Sequence, residues 1–201
     1  NYDAKSSANA ARGALFLLSL DKPAGDPWEL DVNYYKLVTP LSDAGKANAL
    51  APPGFALSAT GSVRYAYAGD LQGNLWRFDF SGKPSSWQKA VGPGSKNAPL
   101  FVARDAAGRR QPISHAPRVV YAPGSGYIVL FGTGSFIQNA DADPASFGPQ
   151  SFYGIRDSTQ KPAVLVAGRD DLVQRVLAGQ GPYTVTGKTL LFEGTNARKG
   201  W

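Results

Sequence analysis

The sequence predicts an all-β chain built from repeated antiparallel sheets. Three observations carry this. Two-residue alternation runs through Tyr65 to Gly82 on both sides of a glycine-bearing turn. Three similar strand segments recur far apart in the chain. Composition supplies the third: 23 Gly and 15 Pro among 201 residues, 43% hydrophobic and 18% charged, mark a globular chain with frequent turns.

Taken in order, Asn1 to Arg12 is small and polar without periodicity, a loop or frayed end. Gly13 to Leu20 is almost continuously apolar, the pattern of a strand buried on both faces. Asp21 to Pro27 is a turn, and Trp28 to Val38 alternates loosely as a second strand. Thr39 to Phe55, with Pro40, Gly45, Pro52, Pro53 and Gly54, is a long connection. Phe55 to Ala59 forms a short strand.

In the central hairpin Val63, Tyr65 and Tyr67 alternate with Arg64, Ala66 and Ala68. Gly69 to Asn74 turns the chain, with glycines where φ is free to become positive. Leu75, Arg77 and Asp79 then alternate with Trp76, Phe78 and Phe80. The aromatic face is expected to pack against another sheet, with Arg77 and Asp79 sharing the opposite face.

Lys83 to Ser86 is a turn, Trp87 to Val91 a short outer strand, and Gly92 to Pro99 a loop. Leu100 to Arg104 and Arg110 to Ser114 are strands around a turn at Asp105 to Gly108. Arg118 to Tyr121 and Tyr127 to Phe131 flank Pro123-Gly124-Ser125-Gly126, a hairpin signal. Gly132 to Gly148 is irregular, and Ser151 to Asp157 is a strand. Residues 170–178 are predicted as one short helix: Leu172, Val173, Val176 and Leu177 form a stripe. Asp170 and Asp171 sit at its positive end, and Gly179 follows. Tyr183 to Val185 and Thr189 to Glu193 form a last hairpin around Gly187-Lys188.

The repeated segments begin at Leu15, Leu75 and Phe152, 60 and 77 residues apart. In each, the second and fourth positions are bulky and apolar. Propeller blades run about 40–50 residues plus insertions. The spacing therefore predicts a partial β-propeller of about three to four antiparallel blades, at or below the lower end of the roughly four to eight of closed rings.

Residues 67–79, YAGDLQGNLWRFD, resemble the signature of the C-terminal β-propeller of PilY/PilC-type proteins of type IV pili. GYIVLFGTGSFI (126–137), QSFYGIRDS (150–158), GRDDLVQRVL (168–177) and ARKGW (197–201) follow in the family's order. The resemblance implies that residues 1–201 are a fragment of a single C-terminal propeller domain, one that continues into a further strand after Trp201. It implies a non-enzymatic role in pilus assembly, retraction control and surface adhesion. The implied partners are pilins or minor pilins, a host or abiotic surface, and the rest of the propeller. The implied location is exported: the pilus tip, outer membrane or cell surface, reached through the periplasm. An enzymatic quinoprotein propeller and a glycan- or matrix-binding module are the rival readings.

Other chemistry is thinly represented. No Cys is present, which removes disulfides, cysteine zinc sites and the vicinal Cys pair often found in quinoproteins. The net charge of +6 is scattered, and no nucleic-acid module is present. No apolar run reaches the roughly 20 residues of a membrane-spanning helix. His115, the only histidine, lies beside Ala116-Pro117 and reads as structural. The Gly92-Pro93-Gly94-Ser95-Lys96 and Gly132-Thr133-Gly134-Ser135 runs lack phosphate-loop spacing.

The resemblance further implies a calcium loop just before the signature. The corresponding residues, Phe55 to Val63, contain no carboxylate, so neither calcium nor another cofactor is expected there. Asn139, Asp141 and Asp143 form a partial oxygen-ligand pattern without the glycine and distal glutamate of a calcium loop. Asp70 and Asn74 are expected to bond the backbone of their own turn, and Trp76 and Phe78 to complete a structural signature.

Overall fold

The structure, a computed structural model, describes residues 12–40, 43, 46–95, 97–159, 165–187 and 189–201. The expected N-terminal loop before Arg12, and Lys188 of the last turn, lie outside them.

Three antiparallel sheets follow one another along the chain. The first pairs β1 (Ala14–Leu18) with β2 (Tyr34–Val38). The second has the order β3 (Gly54–Leu57), β4 (Val63–Gly69), β5 (Asn74–Asp79), β6 (Phe101–Val102). The third joins β7 (Arg118–Tyr121), β8 (Tyr127–Gly132) and β9 (Phe152–Asp157). Its edge is extended by the chain's end, where Gly154 and Trp201 exchange backbone hydrogen bonds of 2.9 Å in each direction. A ribbon of β10 (Val176–Ala178) and β11 (Thr184–Thr186) comes between. The strands of Leu15, Trp76 and Tyr153 stand in three separate sheets, as blades of a partial propeller require.

The second sheet is the middle layer. Register places Ala66 opposite Phe78 and Ala68 opposite Trp76, so small residues on β4 leave room for large ones on β5. This face packs with Leu37, Leu15 and Leu17 of the first sheet. On the other face, Tyr65, Tyr67 and Leu75 pack with Tyr127, Val129, Phe131, Tyr153 and Ile155 of the third sheet. Edge-to-face ring pairs cross that interface, Tyr65–Tyr127 at 5.8 Å and Phe101–Tyr153 at 5.0 Å between centroids. The two-sided packing explains why Arg77 is buried although it alternates with aromatics.

The first sheet departs from expectation. Its strand alternates instead of being buried twice: Leu15 and Leu17 face the second sheet, while Phe16 and Leu18 are exposed. A continuous apolar run does not say how many of its faces are covered.

Local corrections have local causes. Trp87–Val91 is not an outer strand. The chain forms the short helix α1 (Pro84–Trp87), opened by Pro84 at a first-turn position where its missing N–H is harmless, then a 3-10 turn. The Trp87 indole donates to Gly82 O at 2.9 Å and packs edge-on against Phe80. Residues 170–178 are not a helix either. Arg169–Asp171 makes one 3-10 turn, Leu172 is extended at φ −110°, and Val173 N–H bonds Gly200 O. Nine residues are too few to hold a helix by propensity, and pairing with the chain's end satisfies the backbone instead. The strand at 184–186 accordingly pairs with 176–178 and not with 189–193.

Two glycines of the second sheet let the connection that leads into the third sheet pass closely against it. A Cβ at Gly54 would overlap the Pro117 carbonyl, and one at Gly69 would overlap Ile113. Gly54→Ala is expected to lower stability by about 1–3 kcal/mol in thermal melts, the usual range for overpacking. Gly25→Ala, where an added Cβ meets nothing within 4 Å, should leave the melt unchanged.

Candidate functional site

The polar chemistry of the chain gathers at the junction of the second and third sheets. Asp157 ends β9 with its carboxylate turned inward. Arg77 Nη1 lies 2.9 and 2.8 Å from its two oxygens, and the Tyr67 hydroxyl donates to Oδ2 at 2.8 Å. The backbone N–H of Thr159 adds a bond to Oδ1 at 2.9 Å. Both side chains of the ion pair are almost fully buried, at 6% and 4% exposure. The guanidinium also stands 5.1 Å from the Tyr65 ring centre, a cation–π contact. Burial, followed by the neighbouring Asp157 charge, holds the Tyr67 phenol well above its ordinary range. Burial works against the Arg77 cation, but Asp157 outweighs it and raises the pKa.

A second cluster closes the β4–β5 hairpin. Asp70 Oδ1 accepts from the N–H groups of Gln72 and Asn74, each at 2.9 Å. Oδ2 accepts from Asn74 Nδ2 at 2.8 Å and from the Trp76 indole at 2.9 Å. Gly73 sits at φ 77°, the conformation the turn needs. Asp105 repeats the device, accepting from Ala107 and Arg109 N–H. Arg110 stitches the two turns together through Gln72 O and Asn74 Oδ1.

A third network seals one end of the same junction. The Tyr153 hydroxyl donates to Arg104 O at 2.8 Å and bonds Gln111 Oε1 at 3.0 Å, while Arg169 Nη1 reaches Arg104 O and the Tyr153 hydroxyl.

The remaining sequence candidates do not converge. Asp141 lies in a 3-10 turn, Asn139–Ala142, and its Oδ2 accepts from Ile137 N–H, Gln138 N–H and Ser135 Oγ. The two backbone donors hold its carboxyl below the ordinary range. Asp143 caps Ala145. In the loop before the signature, the hydroxyls of Ser58, Thr60 and Ser62 bond one another at 2.8–3.3 Å. His115 is exposed, with Nδ1 3.2 Å from Ser114 Oγ, which also reaches Gly134 O at 2.8 Å. Among the described residues no three His, Asp or Glu side chains gather into a set that could hold a metal ion.

Reading along the sequence missed the Tyr67–Arg77–Asp157 cluster, because 80 residues separate the ion pair. The available signal was Arg77 itself, a charge flanked by Trp76 and Phe78 in a strand.

Comparison with known proteins places this arrangement. The family model for the PilY1 beta-propeller domain matches residues 4–187. The type IV pilus biogenesis factor PilY1 of Pseudomonas aeruginosa strain PAO1 is 42% identical over 136 residues, covering 58% of this chain and 11% of that protein. A PilY1 homolog of Xylella fastidiosa strain Temecula1 is 41% identical over 119 residues, covering 58% of this chain and 8% of its own length. The chain thus spans about a tenth of the curated relatives it matches. The crystal structure of the Pseudomonas aeruginosa PilY1 C-terminal domain superposes with a TM-score of 0.65 at 32% identity, covering 83% of this chain and 40% of that one. The chain, with its stacked antiparallel sheets and its signature hairpin, belongs to the PilY1 beta-propeller domain family.

Proposed function

We propose that this domain serves type IV pilus biogenesis as a non-enzymatic scaffold, and that it acts through binding to pilus components. The supporting observation is the match of residues 4–187 to the PilY1 propeller, with relatives named as pilus biogenesis factors. The chemistry fits that reading. The buried carboxylates of Asp70, Asp105 and Asp157 are each bonded to groups of the fold itself. In this reading the domain supports pilus extension against retraction, contacts pilins or minor pilins, and sits at the pilus tip or cell surface after export through the periplasm.

The test is complementation of a deletion strain with the full-length gene carrying Asp157→Ala. Surface pili are expected to fall sharply, and to return when the retraction motor is also removed. Normal piliation with a demonstrably unfolded domain would contradict the reading.

Residues 55–63 are not expected to hold calcium. Ligand charge and number dominate calcium affinity, and these residues offer only hydroxyls and carbonyls. Calorimetric titration should give no micromolar binding in this segment. Binding that survives Asp141→Ala with Asp143→Ala would place ligands elsewhere and overturn this part.

A further inference from the structure

Four tyrosines run in ring contact through the seam between the second and third sheets. Tyr67 meets Tyr65 at 6.4 Å between ring centres, Tyr65 meets Tyr127 at 5.8 Å, and Tyr127 meets Tyr121 at 5.6 Å. The first three are buried, while Tyr121 is 73% exposed. Both sheets that form the seam belong to the described chain. Tyr121 shares its strand face with Val119, which packs on the core between them, so its ring stands at the rim of that core.

The outer two rings are placed for reaction with each other. Among the described residues they are the most nearly parallel tyrosine pair, 33° apart. They face each other directly across the β7–β8 hairpin. Ala122 N–H bonds Gly126 O at 3.1 Å, which leaves Tyr121 and Tyr127 at the adjoining non-hydrogen-bonded position, where facing side chains stand closest. Their hydroxyls each lie 3.5 Å from Leu57 O, at the limit of a hydrogen bond. Tyr67 and Tyr153, by contrast, donate at 2.8 Å. Neither ring of the hairpin pair is pinned by its oxygen, and each is free to turn toward the other.

We propose that Tyr121 and Tyr127 are an oxidative crosslinking site, joined as dityrosine by hydrogen peroxide acting through a heme peroxidase. Exposure makes Tyr121 the ring that meets the oxidant, to which it loses one electron and its phenolic proton. Ring contact lets Tyr127 pass an electron and a proton to Tyr121, which moves the radical inward, and Tyr121 is then oxidised a second time. The two phenoxyl radicals couple through a carbon–carbon bond between ortho positions. The hydrogens on those carbons move to the phenol oxygens and restore both aromatic rings. The peroxide takes up two electrons and two protons in all and leaves as two waters. Tyr65 is not the coupling partner, because it meets Tyr127 edge to face at 72° and is itself 4% exposed. The new bond closes the turn at residues 122–126 covalently, beside the point where Tyr65 and Tyr127 join the two sheets. The site is additional to the pilus reading and does not depend on it.

The test treats the full-length protein with a heme peroxidase and limiting hydrogen peroxide, followed by tryptic digestion and mass spectrometry. Peptide 119–156, released by cleavage after Arg118 and Arg156, holds both rings. It should lose two hydrogens, show dityrosine fluorescence once isolated, and give no backbone fragments between residues 121 and 127. Tyr121→Phe and Tyr127→Phe, made separately, keep the ring packing and should each abolish the two-hydrogen loss. Tyr183→Phe removes another exposed phenol and should leave it unchanged. An unmodified peptide 119–156 in the treated full-length protein overturns the proposal. So does a two-hydrogen loss that survives either single variant, or dityrosine formed only between molecules.

Discussion

Asp157→Ala is expected to lower the unfolding free energy by about 3–5 kcal/mol, the usual consequence of removing one partner of a buried ion pair. The substitution leaves the Arg77 guanidinium at the sheet junction, where its side chain is 6% exposed and its Nε already has no hydrogen-bond partner among the described residues. It also strips the Tyr67 hydroxyl and the Thr159 N–H of their acceptor. The loss should appear equally in low and high salt, because buried pairs are screened little. Urea denaturation of the wild type and variant at two salt concentrations checks this. Lys46→Ala is the control: it breaks the exposed pair with Asp43 and should change little.

The same cluster sets a pH dependence. The Tyr67 phenol is held well above the ordinary value of 10.0 in the folded chain, by burial first and then by Asp157. The unfolded chain therefore releases the proton at lower pH than the folded one. Stability from this group is fully present below pH 10.0 and is lost as pH rises above it. Tyr67→Phe should flatten the alkaline fall, at the loss of one hydrogen bond to a charged group, about 1.5–3 kcal/mol at neutral pH.

Trp76→Ala is expected to destabilise by about 3–5 kcal/mol, in the range for emptying a buried aromatic position. Trp76 is 1% exposed and packs with Phe78, Val91 and Leu37 in the layer between the first and second sheets. Ala68, directly opposite, is too small to fill the space. Asp70→Ala acts on the same hairpin through polarity. It removes the acceptor shared by Gln72 N–H, Asn74 N–H, Asn74 Nδ2 and the Trp76 indole at one buried point. Each lost acceptor costs about 1–3 kcal/mol when the donor stays buried. Thermal melts should place both variants well below Asp141→Ala, whose carboxylate caps an exposed turn. The reverse order would show that the aromatic face of β5 is not the buried one.

The strands that alternate strictly were readable in the sequence. Val63 to Phe80 falls into a hairpin because period two and a glycine turn agree there, and Arg118 to Phe131 was readable from its Pro123-Gly124-Ser125-Gly126 turn. The failures came where a short apolar run fits two conformations. Leu172 to Leu177 has spacing that a helix could use, but the partners that made it extended, Gly200 and residues 184–186, lie farther along the chain. Phe16 and Leu18 read as core because the sequence does not show which face of β1 meets another sheet. The aromatic face of β5 was readable from Trp76 and Phe78, but the burial of Arg77 needed the third sheet and Asp157.

The stacking of the second sheet on the third is tested most directly by a double-mutant cycle on Arg77 and Asp157, measured by urea denaturation of the domain. Arg77→Met and Asp157→Leu should each destabilise by several kcal/mol. The double variant should lose far less than their sum, because neither charge is then left buried alone. A coupling of about 2 kcal/mol or more is the predicted result. Additive losses, with coupling below about 0.5 kcal/mol, would mean that the two side chains do not meet and that the sheets are not packed as described.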